Sequence, residues 1–326
     1  MEVSVIGAGS WGTALALLLE RNAHRVRLWA RSREQAHAMN RQRENERYLP
    51  GAPLPPTIQV TADLALALDG AELILVSVPS HAFAQTLQAL RDGDAPIVWA
   101  TKGFEPQTGR LLHEVAAEVL GIDTSLGVLS GPSFAKEVAR DLPGAVTVAA
   151  HTLELAECFA EAFRSDRFRV YASDDIVGVQ IGGGVKNVLA LAAGIADGLG
   201  FGANTRAALI TRGLAELARL GLAMGARRET LVGLSGLGDL VLTCTDDQSR
   251  NRRAGLILGK GGSIESAQSE IGQVVEGMTA AREVMRMAVH HGIEMPICEQ
   301  VEQVIYHGRP PAQAVEALLR RTPGVE

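Results

Sequence analysis

Cysteine is scarce in this chain of 326 residues: the three present, Cys158, Cys244 and Cys298, lie far apart. A disulfide framework or a zinc site needs paired or clustered cysteines, so the spacing predicts reduced core thiols and no metal, with a thiol nucleophile as the alternative. Positive charge is not in surplus either. Lys and Arg number 31 against 37 Asp and Glu, a net charge of −6, which gives no electrostatic footprint for nucleic acid. Basic residues are scattered apart from short clusters such as Arg31/Arg33, Arg227/Arg228 and residues 250–253, so any anionic ligand should be small. No apolar run reaches the roughly 18 residues of a membrane span, and no span is expected. The opening MEVSVIGAGSWG passes straight into a strand pattern with no basic segment before an apolar one. No secretory signal is therefore expected, and a cytoplasmic location is predicted.

What is present is an ordinary globular balance, 47% hydrophobic and 21% charged. A single core stops growing at about 250 to 300 residues, so two domains are predicted, residues 1–178 and 179–326. Residues 3–6 form an apolar strand running into Gly7-Ala8-Gly9-Ser10-Trp11-Gly12, and an alanine- and leucine-rich helix follows. In this strand–turn–helix setting G-x-G-x-x-G is a dinucleotide signal: Gly7 makes the tight turn, Gly9 lets the backbone approach a pyrophosphate, and Gly12 packs helix on strand. Trp11 reads equally as a lid over the turn. HRVRLWARS supplies the second strand, and residues 45–51 (NERYLPG) read as a loop.

Further strands are predicted at residues 71–78, 95–100, 126–129 and 143–149, with a short helix at 64–68. Ligands bind beyond the carboxyl ends of such strands. That places His81, Lys102 and the small-residue turn Ser130-Gly131-Pro132-Ser133 on the functional edge, Lys102 being a stronger candidate than His81. From about Val179 the pattern is helical. The fold class is therefore α/β, a Rossmann-like doubly wound sheet followed by an all-α C-terminal domain.

Within the helical part, Gly182-Gly183-Gly184 precede Lys186-Asn187 and an apolar run, which predicts a buried helix beginning after the glycines. Lys186 would then sit in its first turn, at the positive end of the helix dipole. Either it is a proton-exchanging lysine with a lowered pKa, or it snorkels to solvent. Glycines around Asp239 (GLSGLGDL) suggest close backbone approach to something. Ser249-Arg250-Asn251 offers a hydroxyl, a guanidinium fork and an amide, which suit a phosphate monoester or a solvated loop. His290-His291 is too isolated to argue for a metal.

Taken together, GAGSWGTALA, NERYLPG, VPSHAF, ATKGFEP, LSGPSFAKEVA, the GGGVKN to TRGLAE stretch, GLSGLGDLVLTC, SRNRR and VVEG resemble the bacterial-type NAD(P)-dependent sn-glycerol-3-phosphate dehydrogenases over essentially the whole chain. The resemblance implies hydride exchange between NAD(P)H and dihydroxyacetone phosphate, yielding glycerol 3-phosphate for phospholipid synthesis. It implies Lys186 as the proton acceptor in alcohol oxidation, supported by Asp239, Asn187 and Lys102, and substrate contacts from Lys102, Gly131, Ser133, Ser249, Arg250 and Asn251. Cofactor contacts are implied for Ser10, Trp11, Arg31, Arg33, Tyr48, Lys102, Ala135, Arg250, Val274 and Glu276, along with a homodimer. The main local departure is GGGVKN, where family members often carry Cys or Ala among the glycines.

A 3-hydroxy acid dehydrogenase of the same plan would keep the lysine–asparagine pair but replace SRNRR with a carboxylate site. A non-enzymatic nucleotide sensor would keep GAGSWG and lose Lys102, Lys186, Asp239 and Arg250. Cofactor choice is argued locally. The second strand ends in Arg31-Ser32-Arg33 with no acid to hold the ribose 2′-hydroxyl, which predicts NADP(H) in preference to NAD(H), the latter remaining possible.

Overall fold

The computed structural model describes residues 1–321. The described residues form two compact units, one of Met1–Lys102 and Leu112–Val179, the other of Gly103–Leu111 and residues 180–321. The short return of Gly103–Leu111 into the second unit has no signature in the local sequence pattern.

The first unit is built on β1 (Glu2–Ile6), β2 (Arg25–Trp29), β3 (Glu44–Asn45), β4 (Leu49–Pro53), β5 (Gln59–Thr61), β6 (Leu73–Val76), β7 (Ile97–Trp99), β8 (Leu126–Ser130), β9 (Gly144–Ala150) and β10 (Phe168–Ser173). Eight of them make one sheet in the order β10-β9-β8-β7-β6-β1-β2-β5. Pairing is parallel except between β8 and β9, where Leu129 faces Val148 in antiparallel register. Chain order reverses beside β1, with β2 on one side and β6 on the other, and this is the switch point at which open α/β sheets take ligands. The central strands are buried on both faces and read as continuous apolar runs, LILV in β6 and LGVLS in β8, because helices cover both sides of a parallel sheet.

Two predicted features of this unit are corrected. Residues 45–51 are not a plain loop, since Glu44–Asn45 and Leu49–Pro53 pair as a small antiparallel ladder. Strands β5 and β10 lie outside the predicted set. Each is an edge strand of the large sheet, and Phe168–Ser173 alternates buried and exposed residues instead of presenting an apolar block.

The second unit is helical. Its core element is the helix Ile176–Gly198, 23 residues long and apolar enough by composition to cross a membrane. Its first four residues, Ile176 to Val179, belong to the first unit, and the helix is largely buried. It also runs straight through Gly182, Gly183 and Gly184, so the expected start after the glycines is wrong and Lys186 lies in mid-helix. The glycines serve packing. A Cβ on Gly182 would stand 2.3 Å from the carbonyl oxygen of Ser235, and one on Gly184 would stand 2.5 Å from the Phe104 ring. Tertiary contact outweighs the roughly 1 kcal/mol per residue by which glycine disfavours a helix.

Candidate active site

At the end of β1 the backbone of Gly7 takes φ +118°, a conformation that favours glycine, and a Cβ there would meet the Ser77 carbonyl oxygen at 2.4 Å. Gly12 has no room either, its Cβ position lying 2.0 Å from the Gly7 carbonyl oxygen. Gly9 differs: nothing among the described residues comes within 4 Å of a Cβ built on it. Gly9 is also the N-cap of the helix Ser10–Arg21, and no side chain caps that end. An open cradle facing uncapped amide groups at a helix N-terminus is what a pyrophosphate needs. Trp11 packs against the core beside it, and its Nε1 is buried with no hydrogen-bond partner among the described residues. The residues present therefore fit a dinucleotide.

The turn is braced by a residue that motif reading passed over. Asn45, buried in the short ladder, donates its amide to the Ala8 carbonyl at 3.0 Å and to Thr13 Oγ1 at 2.8 Å. Gln35 adds a bond to the same carbonyl at 2.7 Å. Arg31 and Arg33 are exposed after β2, and Tyr48 is half-buried with the Arg47 guanidinium over its ring.

Lys102 follows β7, and Gly131 and Ser133 follow β8. All three come together: Lys102 Nζ donates to the Gly131 carbonyl at 3.3 Å, and Ser133 Oγ donates to the same oxygen at 3.1 Å. Gly131 has φ +145°, and a Cβ there would press on Val146. Ala135 opens the short helix that follows. His81 is exposed in the first turn of the helix Ser80–Gln88.

In the second unit Lys186 is 7% exposed and Asp239 is 1% exposed, and the ammonium donates to Asp239 Oδ1 and to Thr243 Oγ1, the latter at 3.0 Å. The Thr243 hydroxyl donates back to the Asp239 main-chain oxygen at 2.6 Å. Asp239 begins the helix Asp239–Thr245 directly after the π-helical turn Leu234–Gly238. The approach suggested by those glycines is to the core helix, through Ser235 against Gly182. The dipole argument for Lys186 falls with its mid-helix position, and its charge is met by a buried carboxylate. Neither snorkelling nor isolation describes it. Thr243 escaped the sequence reading, although its i+4 spacing from Asp239 puts both on one helix face.

Asn187 donates to Glu276 Oε2 at 3.1 Å, and Asn251 donates to Asn187 Oδ1 at 2.9 Å. Ser249 is the N-cap of the helix Arg250–Gly259, its hydroxyl accepting from the Arg252 N–H at 3.2 Å. Arg250 is half-buried and donates to Gln273 Oε1 at 3.1 Å, and Val274 is exposed one residue further on. Lys186, Asp239 and Thr243 thus form one hydrogen-bonded group and Asn187, Asn251 and Glu276 a second, the two adjoining where Lys186 and Asn187 follow one another in the chain, with Ser249 and Arg250 just ahead of Asn251. Burial pushes the nearby Cys244 thiol up to about 12, against the lowering influence of Lys186 and Arg252, so it stays protonated and does not serve as a nucleophile.

The comparisons with known proteins agree along the whole chain. Residues 2–156 match the family model described as NAD-dependent glycerol-3-phosphate dehydrogenase N-terminus, and residues 175–316 match its C-terminal counterpart. A glycerol-3-phosphate dehydrogenase (NAD(P)+) of Thioalkalivibrio sulfidiphilus is 60% identical over 322 residues, covering 98% of this chain and 97% of that one. The protein of the same name from Nitrosococcus oceani is 59% identical over 324 residues, covering 98% and 94%. Among solved structures, the Coxiella burnetii glycerol-3-phosphate dehydrogenase superposes with a TM-score of 0.95 at 47% identity, covering 98% of this chain and 99% of its own.

Proposed function

The chain belongs to the NAD-dependent glycerol-3-phosphate dehydrogenases, and on that premise we propose that it interconverts dihydroxyacetone phosphate and sn-glycerol 3-phosphate with NADPH or NADH, supplying glycerol 3-phosphate for phospholipid synthesis. The observation that carries the reading is the buried Lys186, held by Asp239 and Thr243.

The nicotinamide, once bound, supplies the hydride chemistry. The chain must then bind, orient and move one proton. In reduction Lys186 gives a proton to the C2 oxygen of the ketone, and in oxidation it takes the hydroxyl proton back. Asp239 compensates the ammonium charge and, with Thr243, fixes where Nζ points. Lys102, Gly131 and Ser133 contact substrate. Ser249, Arg250 and Asn251 take the phosphate, Arg250 by a guanidinium fork. Ser10, Trp11, Arg31, Arg33, Tyr48, Lys102, Ala135, Arg250, Val274 and Glu276 contact the nucleotide, whose pyrophosphate lies on Gly7, Gly9 and Gly12. The uncapped helix start and the unpartnered Trp11 Nε1 support that assignment.

An initial-rate assay of dihydroxyacetone phosphate with each reduced nicotinamide tests the activity. Failure to consume either nucleotide refutes it. We place the enzyme in the cytoplasm as a homodimer. Three free thiols suit a reducing compartment, and the family resemblance implies the dimer. A monomeric mass in light scattering refutes the assembly.

A further inference from the structure

Asp197, near the end of the helix Ile176–Gly198, receives two guanidinium donors on one oxygen, each at 2.7 Å: Nη1 of Arg206 from the helix Ala203–Ala223 and Nη2 of Arg252 from the helix Arg250–Gly259. The Asp197 and Arg252 side chains are each 9% exposed, so this pair is shielded from water where charge-assisted bonds are strong and a missing partner is costly. Arg252 stands in the first turn of the helix that opens with the proposed phosphate triplet. Its main-chain N–H is held by Ser249 Oγ at 3.2 Å, and its Nη1 pairs with Asp247, two residues ahead of Ser249. The segment Ser249-Arg250-Asn251 is thereby gripped from both sides through one arginine. Main chains also touch here: a Cβ on Gly194 would lie 2.1 Å from the Arg252 carbonyl oxygen, which leaves that residue little freedom to shift.

We propose that Asp197 is a positioning residue for phosphate recognition, holding Arg252 so that Ser249, Arg250 and Asn251 keep the register in which they meet the substrate phosphate. The proposal rests on the reading of that triplet as the phosphate site. Asp197 itself touches no substrate. Arg206, its second partner, belongs to a different helix, so the ion pair with Arg206 and the ion pair with Arg252 have separable consequences.

The test compares dihydroxyacetone phosphate with unphosphorylated dihydroxyacetone, using NADPH and the full-length enzyme. Asp197→Asn is expected to raise KM for the phosphorylated substrate about tenfold or more, the scale of a lost charge-assisted bond, with kcat near wild type and kcat/KM for dihydroxyacetone unchanged. Arg206→Ala, which removes the other partner, is expected to leave the ratio between the substrates unaltered. Equal losses on both substrates in Asp197→Asn, or no loss on either, overturn the proposal by reducing Asp197 to a purely structural or dispensable group. Arg250→Ala separates the two levels of the argument. If it discriminates between the substrates and Asp197→Asn does not, the positioning role is wrong and the phosphate site stands; if Arg250→Ala fails to discriminate, both fall. Should Asp197→Asn not fold, Arg252→Lys, which keeps the charge and loses the fork, must show the same substrate-selective rise in KM, and an equal loss on both substrates overturns the proposal.

Discussion

Asn251 and Asn187, 64 residues apart, share a buried hydrogen bond of 2.9 Å from Nδ2 of the first to Oδ1 of the second, and each uses its other end elsewhere. Asn187 Nδ2 donates to Glu276 Oε2 at 3.1 Å, and Asn251 Oδ1 accepts the Gly277 N–H at 2.8 Å. The direction of both amides is therefore fixed by their outer partners. Turning either one over would set a donor on a donor or an acceptor on a carboxylate.

Asn251→Asp follows directly from that directionality. The new carboxylate faces Asn187 Oδ1, and flipping Asn187 to meet it would aim its oxygen at Glu276. A buried acceptor left without its donor costs about 1 to 3 kcal/mol, so the melting temperature should fall. An unchanged melting curve would show that the network does not have this order.

Lys186 and Asp239 should separate stability from chemistry. Lys186→Ala is expected to lower turnover by about 10² to 10⁴-fold, the usual range for a lost acid–base group, while NADPH still binds. Asp239→Leu leaves a buried ammonium uncompensated and should destabilise by about 3 to 5 kcal/mol. The double variant Lys186→Met with Asp239→Leu leaves neither charge of this pair buried, so it should melt higher than Asp239→Leu and remain inactive. Near-normal turnover in Lys186→Ala, or a double variant no more stable than the single, contradicts the pairing.

How much of this was legible in the sequence depended on how local the physics is. Gly7, Gly9 and Gly12 answer to a turn and one helix end within a dozen residues, so their pattern carries its own meaning. Gly182 and Gly184 do not. The same residue type that opens a turn at Gly7 lies inside a helix at Gly184, because Phe104, some eighty positions earlier, occupies the space a side chain would need. Lys186 was legible as chemically unusual, but its reason lies in Asp239 and Thr243, which only the packing of two helices brings to it. Asn45 is similar: its role under Ala8 and Thr13 exists only once β3 and β4 have paired.

Glu216 gives a pH dependence with a definite sign. Its carboxylate is buried and accepts the N–H groups of Ile297 at 2.6 Å and Cys298 at 3.2 Å, at the start of the helix Pro296–His307. Burial outweighs those bonds and raises its pKa above the ordinary 4.5. The folded state thus holds its proton to higher pH than the unfolded state does. The resulting stabilisation is full below 4.5 and is lost as pH rises through the folded value. Glu216→Gln cannot titrate, so the melting temperature of wild type minus that of the variant should grow as pH is lowered from 8 towards about 5. A difference that is flat, or that shrinks on acidification, gives the opposite sign and refutes the account.

Cofactor preference turns on Arg31. Strand β2 ends at Trp29, and the following residues carry no acid until Glu34, which lies inside the helix Arg33–Gln42 capped by Ser32. Ser32 Oγ accepts the Gln35 N–H at 3.3 Å, and Gln35 Nε2 reaches the Ala8 carbonyl at 2.7 Å, so this helix start is tied to the glycine turn. Arg31 and Arg33, both exposed, flank that cap. A carboxylate at the strand end would repel a ribose 2′-phosphate, whereas a guanidinium pairs with it through charge-assisted bonds of about 1.5 to 3 kcal/mol. NADPH should accordingly be preferred to NADH at equal concentration. Arg31→Asp should weaken NADPH use by more than about tenfold and leave NADH nearly untouched, and Arg33→Asp should act in the same direction more weakly, being further from the strand end. The measurement is kcat/KM for each nucleotide at saturating dihydroxyacetone phosphate. A wild-type enzyme that favours NADH, or an Arg31→Asp variant that loses both nucleotides equally, removes Arg31 from the 2′-phosphate site.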